Sequence, residues 1–130
     1  MKRALLLAVA LAACSPPAPP KPTEGAAQKA TMDKATTAYA NCIADGAKAI
    51  PVLGEAAGTL GNRVVKGCKD LRQTLMADVI AFHQIGHPKF TIDQSKAVAE
   101  ASVATIEDEL RQQAVVTIVQ RQMAASEKAG

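Results

Sequence analysis

Residues 62–86, NRVVKGCKDLRQTLMADVIAFHQIG, decide the fold. Val64, Cys68, Leu71, Leu75, Val79 and Phe82 recur every three or four positions, while Lys66, Lys69, Arg72, Gln73 and Asp78 fall off that stripe. This is the 3.6-residue period of a helix with one apolar face. Gly86 and then Pro88 supply its stop, and Asn62 is placed to cap its start. A helix with one apolar stripe must bury it against other elements, so the flanking segments determine the architecture.

Upstream, residues 24–49 are mostly helix formers in which Met32, Ala35, Tyr39, Cys42 or Ile43, and Ala47 or Ile50 repeat at the same spacing. Pro51 ends the segment, and Asp45-Gly46 weakens its last turns, so the helix is expected to stop early or bend there. Residues 51–62, PVLGEAAGTLGN, carry three glycines and a proline and read as a connection with at most one short helical turn. Downstream, Thr91 followed by Gln94 fits a capping box, and Asp93 complements the positive helix end. Ala99, Val103, Ile106, Leu110, Ala114 and Thr117 or Ile118 form the stripe of a third helix. It extends to about residue 126, roughly 52 Å at 1.5 Å per residue. The expected fold is all-α, a small three-helix up-down-up bundle with helices at about 24–49, 62–86 and 91–126, the third the longest.

The two cysteines on the first two stripes test that arrangement. Cys42 precedes Ile50 by eight residues and Cys68 follows Asn62 by six. In a helical hairpin they therefore sit about 12 and 9 Å from the bend, nearly level and on facing stripes. A Cys42–Cys68 disulfide is expected; two unrelated buried thiols are the alternative. The far part of the third helix runs past the second helix, level with residues 51–62. Val115, Val116, Ile118, Val119 and Met123 lie there. Either Val52, Leu53 and Leu60 fold over them as a local cap, or they form an exposed surface for a partner or a second copy of the chain.

The start of the chain concerns address. Met1-Lys2-Arg3 precedes a run of Ala, Leu and Val too short to span a bilayer core, which needs about 20 apolar residues. A charged start, a short apolar segment and small residues at its end are the layout of a secretory signal. Leu11-Ala12-Ala13-Cys14 resembles the lipobox of bacterial lipoproteins. The resemblance implies cleavage before Cys14 and acylation of that residue, so that membrane lipid is the first partner. Each buried methylene contributes about 0.8 kcal/mol, and more than one chain gives durable attachment. Ser15, where an Asp would favour retention at the inner membrane, implies the outer membrane, facing the periplasm. Residues 15–23, SPPAPPKPT, hold five prolines and read as a semi-stiff spacer of roughly 28 Å. The division expected is signal peptide 1–13, lipidated Cys and linker 14–23, and helical domain 24–130. Acylation of Cys14 would also account for the odd member of three cysteines, leaving Cys42 and Cys68 to pair in an oxidising compartment.

The charge balance narrows the function classes. The formal net charge is +3, from 15 basic and 12 acidic residues. Without Lys2 and Arg3 the basic count falls to 13 against 12, so no basic patch marks nucleic acid as a partner. Tyr39, Phe82 and Phe90 are the only aromatic residues, poor material for a stacking platform. His83 and His87 have the i,i+4 spacing of a pair of metal ligands, but Gly86 and Pro88 oppose helical geometry at His87. Glu107-Asp108-Glu109 reads as a solvated face, because adjacent helical positions fan apart. No nucleophile elbow or phosphate loop appears, and neither an enzyme nor a cofactor is expected. The sequence therefore points to a lipid-anchored helical protein of the bacterial envelope with a structural or protein-interaction role. The competing reading is a periplasmic ligand or metal sensor that uses His83 and His87.

Overall fold

In a computed structural model, which describes residues 23–130, the chain forms α1 (Glu24–Ala49), α2 (Ala57–Gly67), α3 (Lys69–Gly86) and α4 (Ile92–Ala129). The expected signal segment, Cys14 and nearly all of the Pro-rich stretch lie outside the described residues. Among the described residues no helix is long and apolar enough to cross a membrane.

The helical class holds, but the expected count of three helices does not. The middle helix starts at Ala57, not near Asn62, and it breaks at Cys68. Asn62 lies inside α2, and Ala56 occupies the cap position without a side-chain bond. Glycine density suggested a loop here because each helical Gly costs up to about 1 kcal/mol relative to Ala. Packing offsets that cost. A Cβ built on Gly61 would stand 2.7 Å from Val115 Cγ2, and one on Gly46 would stand 2.8 Å from Val64 Cγ1. The two glycines let α2 press against α4 and α1, burying Leu60 at 1 % exposure. At Cys68 the backbone turns to φ −98°, ψ 17°, and its N–H bonds to Val65 O, three residues back. This tightened turn divides α2 from α3, with Gly67 beside it.

Cross-helix contacts give the directions. Gly25 lies next to Ile85 and Cys42 is bonded to Cys68, so α1 is antiparallel to α2 and α3. Ser95 meets His83 and Glu107 meets Arg72, so α4 is antiparallel to α3. Tyr39 meets Glu107 and Ala47 meets Arg121, so α1 and α4 run parallel. The course is up, down through a kinked pair, and up again. The Cys42–Cys68 disulfide links α1 to the α2–α3 kink with Cα atoms 6.1 Å apart.

The stripes read from the sequence line the core. Ala35, Tyr39, Ile43 and Ala47 are buried on α1; Val64, Cys68 and Leu75 on the kinked pair; Ala99, Val103, Ala114 and Ile118 on α4. Small residues at four of these positions allow close helix approach. Each fully buried Leu or Ile contributes about 1.5–3 kcal/mol. α1 does not stop early at Asp45-Gly46, because its end is capped from outside. Arg121 Nη1 donates to Ala47 O at 2.9 Å and Ile50 O at 2.7 Å, satisfying carbonyls that the helix leaves open. Gln122 Nε2 donates to Val52 O and Glu55 O at 2.9 and 2.7 Å, pinning the connection to α2. The expected capping box is present: Thr91 accepts from Gln94 N, and Gln94 Oε1 accepts from Thr91 N.

Candidate functional site

The far end of α4 separates the five residues considered as an interaction surface. Ile118 is fully buried and Val115 half-buried, whereas Val116, Val119 and Met123 are exposed. Val52 and Leu60 are buried alongside, and Leu53 stays outside at 81 % exposure. The local cap therefore covers one side of α4, leaving the opposite side open.

Glu107 is not on a solvated face. Its Oε2 accepts from Tyr39 Oη at 2.6 Å and from Arg72 Nε at 2.8 Å, and Arg72 Nη2 reaches Glu100 Oε1 at 2.7 Å. Three helices are tied by one half-buried network. Burial, and then the bond to Glu107, push the Tyr39 hydroxyl well above its ordinary value. The bond to Glu100, more than its burial, holds the Arg72 guanidinium in its charged form. Asp108 faces outward to Arg111, whose guanidinium lowers its carboxyl. These groups neutralise one another and present no free acid beside a nucleophile.

Because the folded Tyr39 is held protonated above its ordinary value of 10.0, its contribution to stability is complete below about pH 10 and is withdrawn as pH rises further. Thermal midpoints of the wild type are expected to fall more steeply above pH 10 than those of Tyr39→Phe. Parallel curves for the two proteins would show that the hydroxyl is not so held.

A groove of about 460 Å³ opens between α1, α3 and α4 at the end of the bundle where α1 begins. Met32, Val79, Phe82, Val98 and Ile106 give it apolar walls, with Thr36 and Ser102 among them. His83 and His87 stand at its end. The structure brings these two imidazoles together, ring centroids 4.6 Å apart, although His87 has left the helix with φ −134°, ψ 66°. Phe90 joins them, its ring 5.1 and 5.3 Å from theirs. The turn between α3 and α4 thus gathers rings that sequence spacing left scattered. Two imidazoles are fewer donors than the four of a structural zinc site. Among the described residues no group of three or more His, Cys, Asp or Glu converges.

The polar end of the groove has a buried support that sequence reasoning missed. Ser95 is fully buried; its Oγ accepts from Gln84 Nε2 at 2.9 Å and lies 3.1 Å from His83 Nδ1. Gln84 Nε2 is also 3.3 Å from Phe90 O, which fixes the turn. Ser95 sits four residues before Ala99 on the α4 stripe, and that register was the available signal.

No family model matches the chain, and neither a curated protein nor a solved structure shows significant similarity to it.

Proposed function

We propose that this chain is a lipid-anchored helical protein of the bacterial envelope that acts by binding and not by catalysis. The carrying observation is the Cys42–Cys68 bridge, which accounts for two of three cysteines and suits an oxidising compartment. Cys14, in the lipobox-like Leu11-Ala12-Ala13-Cys14, is the remaining one. The apolar groove supports a binding role, since concave apolar sites with a few polar groups are the usual form of ligand pockets. Its position suits an anchored molecule: the chain enters α1 at Thr23, and Gly25 packs beside Ile85, so the linker joins the bundle at the groove's own end. The half-buried carboxylate Glu107 is committed, with Tyr39 and Arg72, to holding helices together.

Radiolabelled palmitate is expected to enter the wild-type protein and not Cys14→Ser, and the labelled form to sediment with outer-membrane vesicles. Equal labelling of the two, or none of the wild type, would sink the anchor.

A further inference from the structure

We infer that the groove between α1, α3 and α4 binds a single-chain fatty carboxylate, with the chain along the apolar walls and the carboxylate at His83, His87 and Lys89. The inference rests on the reading of the groove as a binding element, but not on the lipid anchor.

The first support is the proton on His83. Ser95 Oγ already accepts from Gln84 Nε2, so the hydrogen of its hydroxyl needs an acceptor. His83 Nδ1, 3.1 Å away, is the acceptor in reach. Were Nδ1 instead to carry the proton of a neutral ring, a fully buried hydroxyl hydrogen would be left unpaired, which folded proteins rarely tolerate. Neutral His83 therefore carries its proton on Nε2. In the charged ring both nitrogens carry one. Either way Nε2 is left as a donor. A donor suits a carboxylate oxygen and opposes a metal ion, which needs a bare nitrogen.

The second support is charge. The groove and the adjoining hollow formed by Gly86, His87, Pro88, Lys89 and Phe90 share Gly86 and His87, and no acidic side chain lines either. Lys89 makes no ion pair among the described residues. Asp93, the acid nearest in sequence, is paired with Lys96. An apolar groove lined by two imidazoles, beside a hollow that holds an unpaired ammonium, is complementary to an acyl chain that ends in one negative group. Its volume falls in the range of small-molecule sites.

Calorimetric titration of the full chain carrying Cys14→Ser, with the Cys42–Cys68 bridge formed, tests this with dodecanoate and dodecanol below their aggregation concentrations. Saturable one-to-one binding of dodecanoate is expected, at least about tenfold tighter than dodecanol, since a bond to a charged group is at stake. Lys89→Ala and His83→Ala should each reduce that preference. Ser102→Trp, an exposed change on the groove wall, should abolish binding without moving the thermal midpoint. In nitrogen-15 spectra, neutral His83 should carry its proton on Nε2. The proposal is overturned by absence of saturable binding, by equal affinity for acid and alcohol, by a proton on Nδ1, or by dodecanoate binding that survives Ser102→Trp. A concentration-dependent dimer abolished by Ser102→Trp would assign the groove to a second copy and overturn it too. Because Cys14 is absent from the protein titrated, failure here leaves the palmitate result standing, and the reverse holds as well.

Discussion

Replacing Cys42 by Ser lowers the thermal midpoint of the oxidised protein by more than about 10 °C. The bridge joins residues 26 apart in sequence, and chain-entropy reasoning for a ring of that size gives ~3.5 kcal/mol of stabilisation, through restriction of the unfolded chain. For a domain near 100 residues each kcal/mol moves the midpoint by roughly 4–8 °C. The folded state gives the same expectation, because Cys68 occupies the tightened turn between α2 and α3 and ties it to the middle of α1. Cys68→Ser and the double variant should match Cys42→Ser, since either change alone removes the whole interaction. Reductant should lower the wild type to the level of the variants while leaving the variants unmoved. An oxidised wild type that melts with Cys42→Ser would rule out a stabilising bridge.

The parts of the fold legible in sequence were those written in a single helix. The α1 residues Ala35, Tyr39, Ile43 and Ala47 lie four or so apart and are all buried, and the Thr91–Gln94 box opens α4 as its residue types require. The disulfide was legible because two stripes and a short connection fix the level of each sulfur. What involves two helices at once was not. Gly46 and Gly61 count against a helix by propensity, yet their lack of a Cβ is what admits Val64 and Val115, so the rule of local preference gave way to contact. Glu107 is the first of three adjacent acids, of which Asp108 and Glu109 do face water, and only the approach of Tyr39 and Arg72 sets it apart. Arg121 and Gln122 reach backbone carbonyls some 70 residues away, which leaves no period to detect. The groove belongs to the same class. Its walls come from three helices, and its polar end is assembled by a turn that brings His87 to His83 without the helical geometry that Gly86 and Pro88 oppose.

Ile118→Ala should destabilise the domain by about 2–4 kcal/mol, whereas Val119→Ala, one residue on, should stay within roughly 0.5 kcal/mol. Ile118 has no exposed surface and belongs to the same buried cluster as Val52, Leu60 and Ala114, so removing its branched end leaves a cavity. That cavity cannot close easily. Arg121 and Gln122, one turn along, hold the backbone of residues 47–55 by four hydrogen bonds and fix the cap in place. Val119 lies 40 % exposed on the open side, where truncation removes little buried area. Urea denaturation of the two variants measures the contrast. Equal losses would mean that Val119 is covered in the folded protein, and the side of α4 bearing Val116, Val119 and Met123 would then have to be an interface. A large loss at Ile118 alone places the stabilising contacts of this end within the chain itself.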